Sequence, residues 1–194
     1  MTPYMPKWQS YIATTTEPMF TPEQCKLIIQ AGHREKAEQA KVGGGQSGKQ
    51  DTKKRVTTIS WIPFAKMPEM YRAIEKQISI VNLNHMMFEG VQITEPAQFT
   101  EYPKGGFYDW HMDLNPFGQS GEHPIRKISM TCLLSDPSEF KGGDLVFEDG
   151  KTNTVKLQQG QAIFFASFMR HRVEPIKKGI RRSLVMWFGG PPFK

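Results

Sequence analysis

His111 and Asp113 flank a single residue, so a strand would turn both toward one side while Met112 faces away. His171 lies further along the chain and supplies a second imidazole if a neighbouring strand carries it. Two imidazoles and one carboxylate meeting at a point make the facial triad that holds non-haem Fe(II) and leaves coordination positions open. Neutral imidazole suits a borderline transition metal, and the carboxylate offsets part of its charge. The open positions admit an oxidisable co-substrate and O2. A His-x-Asp pair alone is common on exposed strands, so the downstream sequence has to answer it.

The segment 162–188 does so. The apolar run Ala162, Ile163, Phe164, Phe165 leads toward His171, and Val173 and Ile176 continue a strand-like pattern. Lys177, Lys178 and Gly179 signal a turn, after which residues 181–188 read as a return strand. This places His171 and Arg181 on the two strands of a hairpin. An arginine beside such a metal offers a planar fork for a carboxylate. The combination suits a dicarboxylate that chelates iron at one end and is clamped at the other.

Across roughly residues 92–190 the chain resembles the Fe(II)/2-oxoglutarate oxygenases, in particular their prolyl-hydroxylase-like branch with its PKHD-type bacterial members. The matching text is Tyr102-Pro-Lys-Gly-Gly-Phe-Tyr-Asp-Trp-His111-x-Asp113, then Gly142-Gly143-Asp144-Leu145-Val146-Phe147, then His171-Arg-Val-x-Pro175, Gly179, Arg181 and Trp187. The resemblance implies that His111, Asp113 and His171 bind iron. It implies that Arg181 binds the distal carboxylate of 2-oxoglutarate with Tyr102 as hydrogen-bond partner. Leu145 and Trp187 are expected to wall the co-substrate or substrate pocket, and Ser183 to add a hydrogen bond to the bound carboxylate. Collagen-type prolyl 4-hydroxylases usually carry lysine where this chain has Arg181, so arginine points to the oxygen-sensing and PKHD-type branches. The implied cofactors are Fe(II), 2-oxoglutarate and O2, with L-ascorbate as a reductant that keeps the iron reduced. The implied partner is a proline-containing protein or peptide, and the implied fold is a double-stranded β-helix of the jelly-roll, cupin-like kind.

Other residues compete for these roles. His33 and His85 fall on predicted helices or their ends, which suits surface or structural histidines. His123 belongs to a polar loop, 115–123, that should rim the iron. On a regular strand Asp109 shares the face of His111 and Asp113, a position for supporting a ligand, and Tyr108 faces the other way.

The elements that must position these groups are mostly short strands. Thr21-Pro22-Glu23-Gln24 is a helix start, followed by an apolar stripe of Cys25, Ile28, Ile29 and Gly32 to about residues 36–40. Trp8, Tyr11 and Ile12 suit a short strand before it. Residues 42–54 are glycine-rich, polar and basic, which marks a mobile loop; the related hydroxylases suggest a lid over substrate. The loop does not have the Gly-x4-Gly-Lys-Ser/Thr spacing of a phosphate loop. A strand is expected over 55–63 and an amphipathic helix over 67–84, with Met70, Ile74, Ile78 and Val81 on one stripe flanked by Tyr71 and Ile80. Eight strands are expected near 92–102, 107–113, 126–134, 143–147, 153–156, 161–166, 171–176 and 181–189. The reading is mainly β, two packed sheets with helices on one outer sheet. It is one domain over 1–194, with 1–90 as helical support and 91–190 as the β core.

The 194 residues suffice for one sizeable core. The formal charge of +6 concentrates at 49–55 and 177–182, consistent with solvated loops and with steering of an acidic co-substrate. Basic residues interleaved with aromatic platforms, as nucleic-acid binding needs, are not evident. The two cysteines, Cys25 and Cys132, form neither a zinc spacing nor a disulfide framework. No signal peptide or membrane-spanning run is read, so a reducing cytoplasm is expected. Two other functions compete with prolyl hydroxylation: hydroxylation of a free amino acid or other small metabolite, and a non-catalytic cupin-like binding protein. The second has no need of an arginine clamp.

Overall fold

The computed structural model describes residues 10–40, 51–114, 124–148 and 152–193. Most of the expected lid, His123 and its rim loop, and Trp8 lie outside the described residues.

Among the described residues the first elements are strand β1 (Ile12–Thr14) and helix α1 (Pro22–Arg34). Thr21 accepts a hydrogen bond from the Gln24 amide, and the Gln24 side chain returns one from the Thr21 amide. This reciprocal box starts the helix where the sequence predicted. The helix ends earlier than expected because the chain turns extended at Glu35 and supplies an edge strand, β2 (Glu38–Gln39). The strand expected over 55–63 divides into β3 (Arg55–Val56) and β4 (Thr58–Ile62), which belong to different sheets. Thr57 is the crossing point, and its buried hydroxyl donates to the Glu101 carbonyl at 2.6 Å. Helix α2 (Pro68–Val81) buries Met70, Tyr71, Ile74, Ile78 and Val81 along the predicted stripe, whereas Ile80 is exposed.

The β region follows as β5 (Gln92–Ile93), β6 (Ala97–Tyr102), β7 (Phe107–His111), β8 (Ile125–Leu133), β9 (Lys141–Gly142) and β10 (Leu145–Glu148). It continues with β11 (Thr152–Val155), β12 (Ala162–Ala166), β13 (Arg170–Val173), β14 (Ile176–Lys178) and β15 (Arg181–Gly190). All eight predicted strand regions contain a strand; the region 92–102 divides into β5 and β6, and β9 and β14 are short pieces besides. The large sheet runs β1-β12-β8-β15-β6-β4-β2, with β5 also on β15, and the small sheet runs β11-β10-β13-β7-β3.

Burial divides into two layers. One core joins the helices to the large sheet through Cys25, Ile28, Met70, Ile74, Phe99, Met130, Phe164, Leu184, Met186 and Phe188. The other, with Tyr102, Leu145, Phe147, Ile163, Phe165 and Val173, lies between the sheets. Side chains alternate along a strand. Leu184, Met186 and Phe188 face the helices, so Arg181, Ser183 and Trp187 face the interior of the sandwich. Among the described residues no helix is long and apolar enough to cross a membrane.

The hairpin expected between His171 and Arg181 does not form. β13 belongs to the small sheet and β15 to the large one. Between them β14 pairs with β9, and Gly179 turns the chain at φ +74°, where an added Cβ would lie 2.1 Å from the Glu139 carbonyl oxygen. The two residues therefore approach the interior from opposite walls.

Candidate metal centre and co-substrate pocket

His111 ends β7 and pairs in antiparallel register with His171 on β13. Their ring centroids are 4.1 Å apart. The Nδ1 atom of His111 lies 2.7 Å from the Asp109 carbonyl, and that of His171 lies 2.9 Å from the Met169 carbonyl. A carbonyl oxygen only accepts, so each Nδ1 carries the proton and each Nε2 keeps a free lone pair.

Asp113 lies beyond the end of β7, held there because the amides of Asp113 and Leu114 both donate to the Ser167 carbonyl, at 3.0 and 2.9 Å. Its Oδ1 is 3.7 Å from His111 Nε2 and its Oδ2 is 3.7 Å from His171 Nε2. One ligand atom from each residue lies within 4.8 Å of the others. The 3.7 Å separations exceed a hydrogen bond, so the two Nε2 atoms and the carboxylate face one another without bonding to each other. That donor set fits a divalent transition metal of the non-haem iron type. Met112 is exposed, as the alternation required.

Burial, with His171 alongside, pushes the His111 imidazole down to about 3. Burial pushes Asp113 up, but the two imidazoles and a hydrogen bond from Ser129 outweigh it and hold the carboxyl below its ordinary range. Both effects favour the deprotonated forms that bind metal. Phe147 and Phe165 enclose His171, with centroids at 5.7 and 4.6 Å.

The structure reverses the expected orientations of Asp109 and Tyr108. Tyr108 stacks on His111 at 3.5 Å between centroids, and Arg55 covers the other side of the phenol. Asp109 is exposed, and its carbonyl rather than its carboxylate touches His111. The cause is a bulge: β7 advances from Tyr108 to His111 while β13 advances only from Val173 to His171. An inserted residue re-aims the side chains after it. Burial pushes the Tyr108 hydroxyl up to about 12.

The predicted clamp residues also converge. Arg181 and Tyr102 are register partners, both 3% exposed, and Arg181 donates to the Ser183 hydroxyl at 3.2 Å. Burial pulls the Arg181 pKa downward, but an arginine starts high enough to stay charged. A cavity of about 290 Å³ is walled in part by Leu133, Phe140, Asp144, Leu145, Lys156 and Arg181. Leu145 lines this cavity beside Arg181. Trp187 does not wall this cavity; its partner across β8 is Ser129, and the Arg126 guanidinium covers its ring at 3.8 Å. Glu95 holds Arg126 with two hydrogen bonds of 2.7 and 2.6 Å. His33 pairs with Glu101 at 3.0 Å and takes no part in the triad.

Sequence reasoning missed Arg55, Arg126, Ser129 and Ser167. Residues 128–134 read as an apolar run. The available signal was the parity of 127–131, where Lys127, Ser129 and Thr131 alternate with Ile128 and Met130.

The family model of the 2OG-Fe(II) oxygenase superfamily matches residues 97–189. A PKHD-type hydroxylase of Aliarcobacter butzleri is 38% identical over 92 residues, covering 46% of this chain and 41% of that protein. One from Hyphomonas neptunium is 30% identical over 124 residues, covering 60% and 54%. The chain spans about half the length of the relatives it matches. A prolyl-4-hydroxylase crystal structure from Pseudomonas putida superposes with a TM-score of 0.69 at 21% identity, covering 94% of both chains. At that identity the likeness is one of fold, the double-stranded β-helix. Residues 97–189 contain all three candidate ligands and Arg181, and over this segment the chain is similar to the 2OG-Fe(II) oxygenase superfamily.

Proposed function

We propose that the protein is an Fe(II)- and 2-oxoglutarate-dependent dioxygenase that hydroxylates a prolyl residue of a protein or peptide. The observation that carries the oxygenase reading is the convergence of His111, Asp113 and His171 on one point in a sandwich that also buries Arg181. The prolyl part is supported by the PKHD-type relatives.

In this reading His111 Nε2, His171 Nε2 and one Asp113 oxygen hold the iron. When bound, iron supplies the oxidising chemistry by which O2 and 2-oxoglutarate become succinate and CO2 while one oxygen atom enters the substrate as hydroxyl. The protein orients and encloses. Arg181 presents a charged fork to the far carboxylate of 2-oxoglutarate, with the Ser183 hydroxyl and Tyr102 beside it. Leu145 provides an apolar wall for the methylenes. The Asp109 and Met169 carbonyls keep both imidazoles in the metal-binding tautomer. Phe147, Phe165 and Tyr108 exclude water from the ligand side. Ascorbate is the reductant to include.

The test is succinate release from 2-oxoglutarate in the presence of Fe(II), with and without proline-containing peptides. Peptide-stimulated release with a mass gain of one oxygen on proline is the expected result. Release stimulated instead by free amino acids would retain the oxygenase and replace the substrate.

A further inference from the structure

We infer that Phe168 is a positioning residue for the metal centre: it fixes the central peptide of the turn 166–169, and that turn holds two of the three ligands. The inference rests on the metal-centre reading above and adds to it the element that keeps Asp113 and His171 in place together.

The turn joins β12 of the large sheet to β13 of the small one. The Met169 amide donates to the Ala166 carbonyl at 2.8 Å, which closes a four-residue β-turn with Ser167 and Phe168 at its centre. Two carbonyls of this turn hold ligand residues. The Ser167 carbonyl accepts from the amides of Asp113 and Leu114 at 3.0 and 2.9 Å. The Met169 carbonyl accepts from His171 Nδ1 at 2.9 Å. Asp113 has no strand of its own, because β7 ends at His111. Its place therefore depends on where the Ser167 carbonyl points.

That carbonyl belongs to the peptide between Ser167 and Phe168. The two common turn types differ by a flip of this central peptide, and the flipped form needs positive φ at the residue after it. Glycine adopts that conformation freely, whereas a residue with a Cβ resists it. Phe168 occupies this position, and among the described non-glycine residues only Met87 has a positive φ. A flip would turn the Ser167 carbonyl away from Asp113 and Leu114 and leave both amides without their acceptor.

The Phe168 ring adds a second restraint. It packs edge-on against Tyr11, Phe88 and Phe193, with centroids at 5.3, 6.4 and 6.0 Å, the geometry that aromatic pairs prefer. These three rings come from separate parts of the chain: before β1, beyond α2 and after β15. The backbone entering the turn is tied as well. The Ala166 amide donates to the Tyr11 carbonyl and the Ser167 amide to the Lys127 carbonyl, both at 2.9 Å. An aromatic cluster that only filled space would contribute to stability alone. A turn that sets two ligands also changes what the metal experiences.

The experiment uses Co(II) as the probe on the full chain. Affinity is read by titration and ligand geometry by the visible absorption of the bound ion. Removing a group that orients a metal ligand typically costs about 10- to 100-fold in metal affinity. Phe168→Gly, which frees the central peptide and removes the ring, should weaken Co(II) binding by about that factor and alter the visible band, with far-ultraviolet circular dichroism unchanged. Phe168→Ala, which keeps the Cβ and loses the ring, should lose less in the same direction. Phe168→Tyr, which keeps both restraints, should bind as wild type does. If Phe168→Gly does not fold, the comparison of alanine with tyrosine carries the test. Wild-type affinity and spectrum in folded Phe168→Gly, or in Phe168→Ala where the glycine variant does not fold, overturn the inference. A loss in Phe168→Tyr as large as that in Phe168→Gly does the same. If the wild-type chain takes up no Co(II), the metal-centre reading fails and the inference with it. If wild type and all variants bind alike, the metal-centre reading stands and Phe168 does not position it.

Discussion

Arg181 and Tyr102 face each other across adjacent strands of the large sheet, with the guanidinium carbon 5.7 Å from the centre of the phenol ring. The arginine is almost wholly buried, and its fork is directed into the sandwich rather than toward solvent. Arg181→Lys keeps the charge and removes the fork. The expected result is a raised 2-oxoglutarate requirement with Fe(II) affinity little changed. A lost charge-assisted hydrogen bond costs about 1.5–3 kcal/mol, or roughly 10- to 100-fold in apparent affinity. Titrating 2-oxoglutarate against succinate release checks it, and an unchanged requirement would assign the distal carboxylate to another residue.

His111→Ala, Asp113→Ala and His171→Ala should each abolish turnover and weaken Fe(II) binding. The fold should survive, because the layer between helices and large sheet contains none of the three. Metal titration together with far-ultraviolet circular dichroism measures both effects. Wild-type turnover in any of these variants rules out the assigned ligand set.

Gly143→Ala tests the packing around the clamp. Gly143 has φ +70°, and an added Cβ would lie 2.2 Å from Ile176 Cδ1 and 2.9 Å from Arg181 Cδ. Left-handed backbone at a non-glycine residue costs about 1–3 kcal/mol. The variant should melt lower and need more 2-oxoglutarate, while Co(II) affinity stays near wild type. A lower melting point with unaltered 2-oxoglutarate dependence would separate Gly143 from the clamp.

The metal-free protein should lose stability on mild acidification through His111. The unfolded chain takes up this proton near the ordinary value of 6.5, whereas burial holds the folded imidazole down to about 3. Between those values the unfolded state binds more protons, so stability rises with pH there and falls as pH drops from 6.5 toward 3. With both proteins metal-free, the melting temperature of wild type should fall more steeply than that of His111→Asn as the pH is lowered from about 7 to about 4. Parallel curves would mean that His111 titrates normally in the folded protein.

Local chemistry was legible in the residues themselves. The Thr21 cap, the stripe of α2 and the alternation around Met112 depend on neighbours within a turn or a strand, where periodicity and side-chain type decide conformation. The grouping of His111, Asp113 and His171 and the pairing of Arg181 with Tyr102 were legible because their spacing matched a known pattern, which carries long-range information that periodicity does not. Strand partnership was not legible in that way. His171 and Arg181 looked like two arms of a hairpin, and only the folded chain separates them onto opposing sheets, because pairing depends on which distant strand offers free backbone groups. The division of 55–63 at Thr57 has the same cause: either half can extend, and Glu101 and β7 decide where each goes. Tyr108 and Asp109 exchanged faces because one inserted residue in β7 reverses the parity that a sequence reader must assume to be unbroken. Ser129 and Ser167 carried no signal apart from Ser129's place in an alternating strand, since only tertiary packing brings their hydroxyls to 3.0 Å and the Ser167 carbonyl to the Asp113 amide.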